Sequence, residues 1–178
     1  MKIKVLRLNK NVTLPFTIDK GDWIDLRASE EVALKAPYAT MLKRKKKSSD
    51  EVERVRNVIF SSTLIPLGVA IKIPDGFEAI LVPRSSTFKK YAIMQINSNG
   101  IVDNTYCGNN DEWKLPVIAF NDTVIPANER ICQFRIQLSQ KATIWQKIKW
   151  LFSNKIEIKE VESLSDDNRG GFGSTGKQ

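Results

Sequence analysis

The sequence predicts an all-β domain, a barrel or sandwich built from many short strands. Two observations carry that prediction. Runs of alternating apolar and polar residues recur along most of the chain, and Gly, Pro and Asn turn formers separate them. Residues 2–8 alternate first. Ile71, Ile73, Ile80 and Val82 follow around the turn signal Pro74-Asp75-Gly76, and residues 115–120, 130–138 and 155–161 continue the pattern. There is no internal repeat.

Two segments break the strand pattern. Residues 39–57 contain Lys43-Arg44-Lys45-Lys46-Lys47 and then Asp50, Glu51, Glu53, Arg54 and Arg56. They read as a solvated basic loop leading into a short helix, with nucleic-acid contact as the sharper alternative. In residues 142–152, Ile144, Ile148 and Leu151 stand at helical spacing with Trp145 and Phe152 on one flank, while Lys147 and Lys149 point elsewhere. This is an amphipathic helix, expected to pack on its own barrel; a partner groove or a membrane surface are the other uses of such a face.

A chain of 178 residues is one domain, or one domain with insertions, and can bury a real core. No run of about 18 apolar residues is present, so no membrane span is expected. Charges at Lys2, Lys4 and Arg7 interrupt any secretory signal core. Two cysteines, Cys107 and Cys132, cannot make a disulfide framework, and the expected setting is cytoplasmic with both thiols reduced. Histidine is absent, which excludes Ser-His and Cys-His nucleophilic machinery and any His-containing zinc site. Proton transfer in an enzyme of this composition falls to Asp, Glu, Lys or Tyr. The net charge of +8 suits a polyanionic ligand, nucleotide or nucleic acid alike.

The chain ends Arg169-Gly170-Gly171-Phe172-Gly173-Ser174-Thr175-Gly176-Lys177-Gln178. Glycines let backbone N–H groups approach phosphate oxygens, two hydroxyls and two cations add to that, and Phe172 offers a flat face to a base. A frayed tail is the plain alternative.

Four further islands carry chemistry. Asp22-Trp23-Ile24-Asp25-Leu26 follows a glycine. In Pro83-Arg84-Ser85-Ser86-Thr87-Phe88, a guanidinium fork and two hydroxyls stand together, which suits phosphate oxygens, though a turn with a surface Arg has the same composition. Residues 97–106, Asn97-Ser98-Asn99-Gly100-Ile101-Val102-Asp103-Asn104-Thr105-Tyr106, read as a hairpin with a polar tip. Asp103 at its apolar edge is either a carboxylate able to take a proton from water or a turn Asp bonded to its own backbone. Asn128-Glu129-Arg130-Ile131-Cys132-Gln133 opens another strand, with Gln133 alternating against apolar neighbours.

In this order the islands resemble the five motifs of the trimeric dUTPase family (deoxyuridine triphosphate nucleotidohydrolases), spread over residues 22–176. Pro83-Arg84-Ser85-Ser86, Gly100-Ile101-Val102-Asp103 with Tyr106, and Gly170-Gly171-Phe172-Gly173-Ser174-Thr175-Gly176 are the specific matches. The resemblance implies a jelly-roll β-barrel over residues 1–168, with insertions at 39–57 and 142–154, the second a short amphipathic helix. It implies a flexible glycine-rich arm, residues 169–178, and a homotrimer whose active sites are shared between subunits.

The implied reaction splits dUTP into dUMP and pyrophosphate. Asp103 would be the general base for water attacking the α-phosphorus. Asn97 would read the uracil edge beside Gly100, and Tyr106 would pack under the deoxyribose. Arg84, Ser85, Ser86 and Gln133 would hold phosphates. Phe172 and Gly173 would cover the nucleotide, while Arg169, Ser174 and Thr175 would reach the γ-phosphate. Mg²⁺ is implied, held mainly by phosphate oxygens and waters, with Asp25 in the outer sphere and no direct protein ligand. Neither membrane nor nucleic acid is an expected partner, and the insertions offer a surface to a protein partner.

Two departures stand out. Trp23 occupies a position where relatives carry a small residue, and Arg169 directly precedes Gly170 while Asp167 fills the usual arginine place. Two alternatives stand beside this reading. A dCTP deaminase needs a glutamate on the strand after the hairpin, and residues 115–120 contain no acid. A nucleotide-dependent regulatory protein of the same fold would use the insertions to bind a partner.

Overall fold

The computed structural model describes residues 1–19, 21–45, 52–152 and 155–171. In chain order the elements are β1 (Lys2–Arg7), β2 (Ile24–Arg27), β3 (Val32–Leu34), β4 (Tyr38–Lys45), β5 (Val52–Ile59), β6 (Ser62–Pro66), β7 (Val69–Lys72), β8 (Phe77–Pro83), α1 (Thr87–Tyr91), β9 (Ile93–Gln95), β10 (Gly100–Asp103), β11 (Lys114–Ala119), β12 (Thr123–Ile125), β13 (Arg130–Leu138), α2 (Ile144–Phe152) and β14 (Glu157–Glu160). The architecture is mostly β, as the alternation predicts.

The described strands form five sheets, ordered β14-β1-β7, β10-β8-β13-β2, β6-β11-β9, β12-β3 and β4-β5. Alternation sets which face each strand buries. Along β13, Cys132, Phe134 and Ile136 point inward, while Gln133, Arg135 and Gln137 point out. The inward residues join a single core, where Trp113 meets Phe134 edge to face at a centroid distance of 5.2 Å. Both cysteines are free, and burial pushes the Cys132 thiol far up, so it stays protonated.

Three sequence expectations need correction. Residues 39–57 are not a loop leading into a helix. β4 and β5 pair antiparallel over their full lengths, from Tyr38 opposite Ile59 to Lys45 opposite Val52. The exposed Met41, Leu42, Val52, Val55 and Val58 supply the strand propensity that the charges hide.

Residues 97–106 are not a hairpin. β9 pairs with β11 and β10 with β8, so residues 96–99 cross from one sheet to another. The chain does turn there, but the strands on either side pair elsewhere.

α2 forms as expected but does not pack through the expected face. Ile144, Trp145, Leu151 and Phe152 are exposed. Its contact with the domain runs instead through Trp150, whose ring lies tilted against Phe77 at a centroid distance of 5.3 Å, and through Gln146, whose Nε2 donates to the Asp75 carbonyl at 2.7 Å. No described helix is long and apolar enough to cross a membrane.

Candidate active site

Most of the predicted site residues lie on or beside the outward face of the sheet β10-β8-β13-β2. They form two clusters at opposite edges of it.

The first cluster is basic and surrounds Asp25 on β2. Asp25 and Val82 flank Gln133 of β13 directly across the strands. Arg84 leaves the end of β8 and places Nε 2.8 Å from Asp25 Oδ1, while Arg130 Nη1 lies 3.2 Å from Asp25 Oδ2. The turn that carries Arg84, Ser85 and Ser86 is clasped to β13. Buried Thr87 donates its hydroxyl to the Ile131 carbonyl at 2.7 Å, and the Arg84 N–H donates to the same oxygen at 3.3 Å. Ser86 stands at the N-cap of α1 without using its side chain there, and both Ser86 and Arg84 sit at the domain surface. Two guanidiniums, the Ser85 and Ser86 hydroxyls and an amide therefore share one patch, a chemistry that suits phosphate oxygens. Trp23 lies two residues before Asp25 with the Arg135 guanidinium stacked 5.3 Å from its ring, and Asp25 keeps its register opposite Gln133.

The second cluster lies at the β10 edge around Asp103. A cleft of about 270 Å³ is lined there by Ile101, Asp103, Tyr106, Trp113 and Arg169, with Gly170 and Gly171 at its rim. Burial pulls the Asp103 carboxyl up. Hydrogen bonds from the Thr105 hydroxyl, the Arg169 guanidinium and the Thr105 N–H pull it down by more, leaving it below the ordinary carboxylate value. Asp103 is thus a half-exposed, ionised carboxylate facing a cleft. Tyr106 donates its hydroxyl to the Glu112 carbonyl at 2.9 Å, and burial, with Asp111 and Glu112 nearby, pushes its phenol up to about 12. Its ring lies against Gly171, where an added Cβ would stand 3.1 Å from it.

Asn97 sits in the crossover between β9 and β10, where its Oδ1 accepts from Gln95 Nε2 at 2.7 Å. Gly100 opens β10 because a Cβ there would press on Gln95 Nε2 and on Leu81, both at 3.3 Å. Arg169 lies on Asp103 and not among the residues around Asp25. Its own N–H is held at 3.0 Å by Asp111, which fixes the tail beside the cleft. Phe172, Gly173, Ser174 and Thr175 lie outside the described residues.

Sequence reasoning misses Asp111. This residue is 1% exposed, and its carboxylate accepts the N–H groups of Gly108 at 2.9 Å, Arg169 at 3.0 Å and Gly170 at 3.1 Å. It clips the start of the tail onto the loop after Tyr106. Asn109 and Asn110 extend the clip to Leu164, Ser165 and Asn168. In the sequence the run Asn109-Asn110-Asp111-Glu112 looks like an ordinary polar turn, and its partners in the tail are more than fifty residues away. Gln95 escapes notice too, because no local motif marks it, and Arg130 stands in the Asn128–Gln133 island without being singled out there.

The family model described as dUTPase matches residues 47–176. The chain is 39% identical over 176 residues to an SPbeta prophage-derived deoxyuridine 5'-triphosphate nucleotidohydrolase of Bacillus subtilis, covering 99% of each. It is 32% identical over 182 residues to a deoxyuridine 5'-triphosphate nucleotidohydrolase of Finegoldia magna, again covering 99% of each. Among solved structures it is similar to a dUTPase from Streptococcus mutans, with a TM-score of 0.57 and 22% identity over 76% of this chain and 96% of that one. It is also similar to the dUTPase of Staphylococcus bacteriophage 80alpha, with a TM-score of 0.57 and 18% identity over 98% of each. Those two likenesses concern the fold. The family match and the full-length relatives show that the chain belongs to the dUTPase family of nucleotide hydrolases.

Proposed function

We propose that the protein hydrolyses dUTP to dUMP and pyrophosphate, with Asp103 as general base. The observation that carries this reading is the ionised Asp103 at the mouth of a cleft shared with Tyr106 and the glycine-rich tail. Asp103 takes a proton from water as the water oxygen bonds to the α-phosphorus, and the bond from that phosphorus to the bridging oxygen breaks to release pyrophosphate. Such a step depends on positioning and on stabilised charge more than on covalent help from the protein. The uracil lies toward Asn97 and the crossover beside Gly100, and the deoxyribose lies over Tyr106. Arg84, Ser85, Ser86 and Gln133 hold phosphates, and the tail beyond Gly171, with Phe172, Gly173, Ser174 and Thr175, closes the site.

Mg²⁺ fits this donor set in one way. Each Asp25 oxygen already accepts a guanidinium and keeps a lone pair for water, which suits a hydrated cation held chiefly by phosphate oxygens. When bound, it neutralises charge on the triphosphate.

The separation of the two clusters supports a site completed between copies. Asp103 is paired with Glu78, and Glu78 with Gln137, while Asp25 is paired with Gln133. Three strand spacings across the sheet and four residues along β13 place Asp103 about 20 Å from Asp25. One nucleoside triphosphate does not bridge that gap within a protomer. The exposed apolar side chains of the β6-β11-β9 sheet, Leu64 and Met94 among them, with Phe60, Phe88 and Phe120 beside it, offer a surface that other copies would cover in a homotrimer.

Turnover of dUTP in ¹⁸O-labelled water tests the chemistry. Label in the dUMP phosphate is expected; label in pyrophosphate alone would place the attack at the wrong phosphorus and remove the proposed role of Asp103.

A further inference from the structure

We propose that the basic face of the β4–β5 ribbon is a binding surface for the phosphate backbone of duplex nucleic acid. The inference is independent of the nucleotide site and rests on the strand register. Side chains directly opposite in an antiparallel pair share a face, and the next pair along lies on the other face. Met41 stands opposite Arg56, Lys43 opposite Arg54 and Lys45 opposite Val52, so Lys43, Lys45, Arg54 and Arg56 all project to one side. No acidic residue in the described strands shares that side. The one acid of the pair of strands, Glu53, lies on the other face, directly opposite Arg44.

Three features separate this from an ordinary solvated charge run. Every residue on the basic face, from Ala39 to Lys45 on β4 and from Val52 to Val58 on β5, is exposed, so the face is turned wholly to solvent. Lys43 and Arg54 form a like-charge cross-strand pair, an arrangement that costs stability until a polyanion compensates it, and among the described residues Lys43, Arg54 and Arg56 make no ion pair. The ribbon also stands apart from the domain: β4 and β5 pair with each other and no other described element packs substantially on either. An isolated two-stranded ribbon is marginally stable in water, and a ribbon of this width enters the major groove of a duplex, with its cations placed against phosphates. No Asn or Gln lies on the basic face, and its Lys and Arg side chains are assigned to phosphates, so the binding is expected to depend little on sequence.

Fluorescence anisotropy of the full-length protein with a labelled DNA duplex of about two helical turns, over a salt series, tests the proposal. A dissociation constant in the range of about 10⁻⁴ to 10⁻⁶ M at physiological salt is expected. The triple variant Lys43→Gln/Arg54→Gln/Arg56→Gln should reduce the slope of log K against log salt by about 2.7, or about 0.9 for each phosphate no longer neutralised. Its dUTP turnover should stay unchanged, because none of the three residues lies in the nucleotide site, and its melting temperature should not fall, because the like-charge pair is relieved. Arg44→Gln, on the opposite face, should leave the slope as it was. An unchanged slope in the triple variant would overturn the proposal, and so would an equal loss in Arg44→Gln. Binding to phosphatidylserine vesicles without binding to the duplex would assign the face to membranes instead. A change in the oligomeric mass of the triple variant would make it a contact between copies.

Discussion

Asp111 accepts the backbone N–H groups of Arg169 and Gly170, and through that clip the Arg169 guanidinium comes to rest on Asp103. A buried carboxylate thus sets where the glycine-rich tail begins. Asp111→Ala leaves the N–H groups of Gly108, Arg169 and Gly170 without their acceptor, and the tail should detach. Turnover should fall by about 10²-fold, as expected when a closing element is misplaced. Limited proteolysis within residues 163–171 should accelerate. Wild-type kinetics with a tail that resists protease would show that Asp111 does not position it.

Gly108→Ala reaches the same clip from the other side. The added Cβ would stand 2.4 Å from Asn168 Oδ1 and 2.7 Å from the Asp167 carbonyl oxygen. The tail must move away from the loop, so the kinetic defect should match that of Asp111→Ala while the melting temperature changes little. A steady-state comparison of the two variants checks this.

Asp103→Asn keeps the shape of the site and removes the proposed base. Turnover should drop by about 10²- to 10⁴-fold, the usual contribution of a general base, with dUTP affinity largely kept. Calorimetric titration beside single-turnover kinetics separates the two effects.

The acidity of Asp103 gives a pH prediction. Its carboxyl is depressed in the folded protein, so the ionised form, and the stability it contributes, are fully present above the unfolded value and are lost as pH falls through the lower folded value. The acid limb of kcat/KM should therefore lie below the ordinary carboxylate range. Thr105→Val removes the strongest of the bonds that lower it and should move that limb upward. A limb that does not move would separate Asp103 from the titrating group.

Complementation tests the proposed sharing of the site between subunits. Asp103→Asn damages one cluster and Arg84→Ala the other, and each alone should be nearly inactive. Mixing the two after dissociation and reassembly should restore part of the activity, because some interfaces then combine an intact cluster of each kind. Parent-level inactivity in the mixture would put the whole site within one protomer.

Much of this is legible in the sequence, and the failures share a cause. β13 falls at its expected bounds because Cys132, Phe134 and Ile136 alternate with polar residues over a long run. Arg84, Asp103 and Tyr106 stand in local motifs, and local motifs report local conformation well. What fails is non-local. The helix α2 lies where its periodicity places it, but the pattern of Ile144, Ile148 and Leu151 records an apolar face without saying what covers it. The β4–β5 ribbon escapes because the unbroken run Lys43-Arg44-Lys45 and the charges at Glu53, Arg54 and Arg56 mask any apolar alternation. Asp111 escapes because its role exists only once a segment 58 residues later folds back onto it.

The most direct test is pyrophosphate release by the purified protein with Mg²⁺ and each of dUTP, dCTP, dTTP and UTP. Release from dUTP alone is predicted, since in the proposed site the crossover at Asn97 and Gly100 would select the base and Tyr106 the sugar. Release from none of the four, or equal release from UTP and dUTP, would contradict the assignment of Asp103, Asn97 and Tyr106 to a dUTP site.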